Sequence, residues 1–338
     1  MSLGPIFVVG NSRSGTTMMA RMLGRHSRIY SFGELHFVER LVSVAALSER
    51  STLDRVDAER LVGTLLSVER NGLFTRPEPG QFREEAGTIL AEAGQSLDAA
   101  NLFEVALRYE ARRHGKEVPC EQTPRNLFYL DELLELYPNA RAINMVRDPR
   151  DVMLSQKHKW RRRFLGGQTI PLSEAIRAWV NYHPITIARL WRGAVRFGER
   201  FQANNRVQTV RFEDVLANPR RALSSICKGL GLEFEDAVLD VPQVGSSLGQ
   251  DSALTRGVDP SRTGKWRGGG LNNAELTLCQ TIAGDCMRRY GYNIEPVVRG
   301  ELRVHLYKFT WLLKLALALV VNWRRVKNLP QAIRRRLL

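Results

Sequence analysis

Ile6–Leu23 reads IFVVGNSRSGTTMMARML: an apolar run, a turn rich in Gly and Ser, then apolar residues at helical spacing. Ile6, Phe7, Val8 and Val9 form an unbroken bulky run, which suits a strand buried on both faces. Gly10 and Gly15 bracket the turn, and Met18, Met19, Met22 and Leu23 follow with the period of a helix. Strand, tight loop and helix together aim backbone N–H groups at one point in front of the helix, where an anion is held. The spacing of the two glycines is the G-x-x-x-x-G skeleton of a phosphate-binding loop. Thr16 stands where the ATP-binding version carries Lys, so a β/γ-phosphate with Mg²⁺ loses its main protein partner. A nucleotide or small-molecule kinase is therefore the weaker alternative. Arg13, inside the loop, supplies a cation able to grip a single phosphate and its bridging oxygen.

Working outward, the alternation of strand and helix recurs. Val118–Cys120 leads into a helix over 127–137, and Ala142–Val146 leads through Asp148-Pro149 into a helix reaching Trp160. One long helix is predicted over 173–201, a strand over 207–212, further helix to about 239, and a final helix over 272–290. From Glu34 to about 114 the pattern is helical, broken at Pro77 and Pro79; the stretch 242–270 is loop-like. These alternations predict an α/β fold: a P-loop NTPase-like single domain with a central, mainly parallel sheet flanked by helices. The expected division is a domain over 1–295, with a helical acceptor-side insertion at about 37–115, and a tail over 296–338. In such sheets ligands sit at the carboxyl ends of the strands.

The chain of 338 residues carries a net charge of +15. After Glu301 there are nine basic residues and no acidic one, which leaves about +6 for the rest. A mildly basic body suits an anionic ligand, and the strongly basic tail needs its own account. No groove-reading motif accompanies the charge, which argues against nucleic acid. Cys120, Cys227, Cys279 and Cys286 are scattered without C-x-x-C spacing and read as reduced thiols, with no metal site expected. A strand so close to the N-terminus leaves no room for a signal peptide, so a cytoplasmic location is expected, or a peripheral one on the inner membrane face.

Arg147-Asp148-Pro149-Arg150-Asp151, followed by Ser155, lies just after the third apolar run. Asp148 and Pro149 make a good helix start. Arg147, at the strand's end, and Ser155, two turns along, can together meet a phosphate. The first loop resembles the R-S-G-T-T form of the 5′-phosphosulfate-binding segment of PAPS-dependent sulfotransferases, found in bacterial and tyrosylprotein members (PAPS is 3′-phosphoadenosine 5′-phosphosulfate). The second element is similar to the family's R-D-P-R-D-x-x-x-S, and the resemblance continues in order along most of the chain. It implies that Arg13, Ser14, Gly15, Thr16 and Thr17 hold the 5′-phosphate and sulfuryl end, and that Arg147 and Ser155 hold the 3′-phosphate. Thr263-Gly264-Lys265-Trp266-Arg267 resembles the segment closing over the nucleotide, so Lys265, Trp266 and Arg267 join the donor site. The implied activity moves a sulfuryl group from PAPS to a hydroxyl-bearing acceptor, leaves adenosine 3′,5′-bisphosphate, and uses no metal.

Glu34 matches the position of the catalytic Glu of the tyrosylprotein type and is the expected general base; His36 competes, since cytosolic sulfotransferases use His. Gln122 departs from the family, standing where many relatives have the Lys of E-K-T-P that assists the leaving phosphate. Arg13 or Lys265 then covers that role, or the chain is a catalytically weak, membrane-associated PAPS-binding protein. The segment 37–115 and Lys157–Arg161 are expected to line the acceptor pocket. Leu302–Trp323 reads as an amphipathic, aromatic and basic helix whose longest uncharged run, Leu315–Trp323, is short of a bilayer span. It suits an anchor on an anionic membrane surface, or a helix docked on the domain or on the second copy of a homodimer. The anchor reading points to a lipid or glycolipid acceptor.

Overall fold

The computed structural model describes residues 3–165, 170–243, 252–297, 301–323 and 329–337. Its first unit is the one read above: strand β1 (Ile6–Gly10), loop, helix α1 (Thr16–Leu23). A short strand β2 (Ile29–Ser31) follows, then helices α2 (Val44–Ser48), α3 (Arg55–Asn71), α4 (Arg83–Ala93) and α5 (Ala99–Arg113). Next come β3 (Val118–Glu121), α6 (Leu130–Leu136), β4 (Arg141–Val146), α7 (Pro149–Lys157), α8 (Leu172–Asn181) and α9 (Pro184–Glu199). The chain continues with β5 (Val207–Arg211), α10 (Phe212–Ala217), α11 (Pro219–Leu230), β6 (Pro242–Gln243), β7 (Ser252–Arg256) and α12 (Asn273–Arg289). Two C-terminal helices, α13 (Glu301–Asn322) and α14 (Leu329–Leu337), complete it.

Five strands form one sheet in the order β2-β3-β1-β4-β5, every pairing parallel. The layered P-loop-like architecture is therefore present, with β1 at the centre. Side chains alternate across it. Ile6 and Val8 pack with Met19, Met22 and Leu23 of α1 and with Leu223 and Ile226 of α11. Phe7 and Val9 face the other way, into a core shared with Phe37, Phe103 and the helices between 44 and 113. A third cluster joins Val152, Trp191, Trp266 and Met287.

Three differences from the sequence reading have physical causes. β2 is a three-residue edge strand on β3, too short to show any periodicity. The single helix expected over 173–201 is two, because Pro184 supplies no N–H to continue α8 and instead starts α9. Within the expected loop 242–270, β6 and β7 pair antiparallel, while residues 244–251 lie outside the described residues, as do the tail cations Arg324, Arg325 and Lys327.

The tail lies on the body of the protein. α13 packs against α8, α9 and α12, and α14 against α9. Trp311 donates to Thr186 Oγ at 3.0 Å, Asn322 to Asn181 at 2.8 Å, and the Lys314 ammonium stands 4.0 Å over Trp179. The half-buried stripe of α13 includes Tyr307, Thr310, Lys314 and Asn322, whereas Leu306, Phe309, Leu312, Leu313, Val320 and Trp323 are exposed. Trp311, Leu315, Ala318 and Leu319 share that stripe, so apolar side chains lie on both sides of the helix, toward protein and outward. By length and composition the helix is also long and apolar enough to cross a membrane, contrary to the expectation from its longest uncharged run. Its few charges are spread along the helix, so they break up every run while barely lowering the mean hydropathy.

Candidate active site

The carboxyl ends of β1, β3 and β4 bring the predicted residues to one edge of the sheet. Gly10 has φ 142°, and a Cβ there would stand 2.4 Å from the Met145 carbonyl oxygen. Gly15 has φ 93°, and its Cβ would enter the Phe212 ring at 2.3 Å. Both positions therefore require glycine, on two counts. Arg13 adopts φ 75°, unusual for a side chain of its size. That backbone turns its guanidinium toward α7, where Nε donates to Ser155 Oγ at 2.9 Å.

Arg147 lies across the loop from it. Its Nη2 donates to the Arg262 carbonyl at 2.6 Å, its guanidinium stacks 4.3 Å from the Phe212 ring, and Asp151 is 3.7 Å away. Burial lowers its pKa despite these acidic neighbours. Arg147 Nε and Ser14 Oγ are buried without a protein partner. A buried donor left unpaired is costly, so the orphaned pair fits a site built for anionic oxygens. Asp151 closes the other side by accepting from the backbone N–H groups of Gly264 and Trp266 at 2.8 and 3.1 Å. Arg150, by contrast, is structural: it is buried against Asp148 and Gln280 and stacks 3.9 Å from Trp266.

The remaining candidates separate. Thr16 is buried and accepts from Gln122 Nε2 at 3.3 Å, so Gln122 ties β3 to the start of α1; Thr17 is exposed. Lys265 is exposed, and Arg267 pairs with Glu295 at the surface. From this late loop it is the Arg262 carbonyl, not either of those cations, that contacts Arg147.

Glu34 and His36, read as competitors, are bonded to each other, with Glu34 Oε2 3.0 Å from His36 Nε2. Burial pushes the Glu34 carboxyl up, but the His36 bond and the charges of His36, Lys159 and Arg125 outweigh it and hold the pKa at about 2. Beneath them Glu121 is fully buried and accepts from Thr123, from Asn126 at 2.8 Å and from the Leu35 N–H at 3.4 Å. Burial dominates there and raises its pKa to about 7.

Lys159 was singled out in the sequence only as part of a basic run. It comes close enough to both Arg13 and Glu34 for each charge to act on it, and burial first, then Arg13, brings its pKa down to about 7. Nothing in its local sequence marks it, because the 3-10 turn Lys159–Phe164 that aims it inward has no periodic signal. Among the described residues no cluster of three or more His, Cys, Asp or Glu forms a metal-binding group, and all four cysteines are buried and unpaired.

A parallel α/β sheet with arginines gathered at the ends of β1 and β4 has the layered architecture of the P-loop-like class. A family model described as "Sulfotransferase family" matches residues 5–236, and the chain belongs to that family. The nodulation protein NoeE of Sinorhizobium fredii is 25% identical over 301 residues, covering 85% of this chain and 65% of that protein. Protein-tyrosine sulfotransferase 1 of Mus musculus is 31% identical over 147 residues, covering 43% of this chain and 31% of that protein. The chain thus spans less than two thirds of the length of these curated relatives. In fold it is similar to the sulfotransferase domain of a Synechococcus olefin synthase, with a TM-score of 0.53 and 21% identity, covering 87% of this chain and 96% of that one.

Proposed function

We propose that the protein transfers a sulfuryl group from PAPS to the hydroxyl of a lipid or glycolipid acceptor at a membrane surface. The convergence of Arg13, Ser155 and Arg147 carries the donor half, because it sets two anion sites within reach of one ribose. Arg147 and Ser155 would hold the 3′-phosphate, while Arg13, the Ser14 hydroxyl and the N–H groups of Gly15 to Thr17 would hold the 5′-phosphosulfate. The acceptor oxygen forms a bond to sulfur as the bond from sulfur to the 5′-phosphate oxygen breaks. The bonding pair leaves with that phosphate, giving adenosine 3′,5′-bisphosphate, and the acceptor proton passes to the Glu34–His36 pair. Positioning and preorganised charge supply most of the acceleration in such transfers.

Glu34 is held too acidic to be a strong base while the charges of His36, Lys159 and Arg125 act on it. A bound phosphosulfate offsets those cations and raises its basicity, which couples base strength to donor occupancy. The leaving phosphate is assigned to Arg13 and Lys159, in the role that Gln122 does not fill. The membrane half rests on the outward apolar face of α13, supported by the exposed Leu172, Ile176 and Trp179 of the neighbouring α8.

Calorimetry tests the donor site: adenosine 3′,5′-bisphosphate should bind far more tightly than AMP or ATP, and equal affinities would refute it. Glu34→Gln should then lower transfer from radiolabelled PAPS by about 10²-fold or more while sparing bisphosphate binding. An unchanged rate would remove Glu34 from its role. Tight bisphosphate binding with no transfer to any lipid-extract component would favour a PAPS-binding protein without turnover.

A further inference from the structure

A cavity of about 270 Å³ lies between the first loop and the C-terminal helices, and its lining joins two chemistries. Beside Gly10–Ser12 it carries the cationic side chains of Arg125, Lys159, Arg177 and Arg336, and with them the apolar Leu315 and Leu319 of α13 and Ile333 of α14. No residue of 37–115 lines it. We infer that this cavity is the acceptor site, and that it takes an acidic amphiphile: an aliphatic chain beneath α13 and a carboxylate or phosphate among the cations. The inference rests on the sulfotransferase reading and narrows the acceptor class within it.

The four cations of the lining face three carboxylates, Glu39, Glu174 and Glu34, which leaves one positive charge over. Glu39 is buried, accepts from Tyr129 Oη at 2.6 Å and from Arg336, and has Arg125 at 3.7 Å, so one carboxylate serves two guanidiniums. Arg177 is paired with Glu174 and also donates to Asn322 of α13 at 3.2 Å. Lys159 adds a further positive charge facing Arg13 and Glu34. The crowding is felt: repulsion from Arg336, followed by burial, brings the Arg125 guanidinium down to about 10. An anion placed among these groups relieves the repulsion, and a neutral molecule does not.

The apolar side chains of the lining call for hydrocarbon. Leu315 and Leu319 lie on the inward stripe of α13, while Leu312, Leu313 and Val320 on its other side are exposed. A chain leaving a lipid surface at α13 would therefore meet apolar side chains on both sides of that helix. The hydroxyl of the same molecule would reach the loop that holds the sulfuryl end.

Titrating the full chain with cis-parinaric acid and with its methyl ester, followed by polyene fluorescence, tests this without turnover. The acid should bind one site per chain at least tenfold more tightly than the ester. Leu319→Trp, which fills the apolar end, should weaken the acid at least tenfold, and Leu313→Asn on the outer face should leave it unchanged. Lys159→Met should cut the acid-over-ester preference at least threefold, which serves as the second readout if the Trp variant folds poorly. Equal affinity for acid and ester, no saturable binding, or equal effects of the Leu319 and Leu313 variants would each overturn the inference. Bisphosphate calorimetry on the same samples separates the two readings. Intact bisphosphate binding without acid binding overturns the acceptor site alone, whereas acid binding without bisphosphate binding overturns the sulfotransferase reading beneath it.

Discussion

Lys159 shows how a single residue changes the account of the site. Its amine, brought to about 7 by burial and by Arg13, gives up its proton far more readily in the folded chain than at the ordinary 10.5. Between those two values the unfolded chain binds more protons than the folded one, so the lysine's destabilising effect is full below pH 7 and fades as pH rises toward 10.5. Lys159→Met should therefore raise Tm at pH 7, with the gain shrinking to nothing near pH 10.5; an equal gain at both values would refute the charged-amine account. The same variant should lower sulfuryl transfer by about 10²-fold or more, as loss of a preorganised charge at a leaving group does. A charge kept at a cost in stability is common at functional sites. Gln122, the departure that stood out in the sequence, has a smaller part: it fastens Thr16, and the proposed mechanism takes the cation it lacks from Lys159.

At the scale of elements, the sequence was most legible where a physical constraint leaves a local mark. The loop between β1 and α1 needs glycine at positions 10 and 15, and α7 needs its Asp148 cap and Pro149, so both could be read from spacing alone. The pairing of Glu34 with His36 could not, because it depends on the irregular turn at Phe37–Leu41, where Glu39 takes φ 80°. Nor could the route by which α14 returns to α9. That contact is close: a Cβ on Gly193 would stand 2.3 Å from the Arg336 carbonyl. Gly193→Val should lift α14 from its seat, break the Arg336–Glu39 and Arg335–Glu132 pairs, and abolish parinaric acid binding while bisphosphate binding survives. Trypsin cleavage at Arg334–Arg336 should accelerate in that variant, and an unchanged cleavage rate would show the packing to be looser than described.

At the scale of the molecule, α13 and α8 present a continuous apolar face bordered by the exposed cations Arg161, Arg303 and Lys308. Such a face favours a lipid surface through hydrocarbon burial, with attraction to anionic headgroups added. The chain should co-sediment with phosphatidylglycerol vesicles and much less with phosphatidylcholine vesicles, and Phe309→Asn with Leu313→Asn should release it. Equal binding to both lipids would remove the electrostatic part, and full binding by the double variant would remove α13. The sequence showed that the tail was both basic and apolar, but it could not show which side of the helix faces protein. Here the stripe that carries Thr310, Lys314 and Asn322 among apolar residues faces protein, and only the packing of α13 on α8, α9 and α12 reveals it.

The cavity joins residues 10–12 to Ile333 and Arg336, so its two walls are separated by almost the whole chain. Contacts at such separation form late, because the intervening loop must close first. The donor loop, by contrast, is made of neighbours on β1 and α1. The donor site as a whole closes at shorter range than the cavity, since Arg13 meets Ser155 and Arg147 across 142 and 134 residues, so the nucleotide half should mature before the acceptor half in refolding.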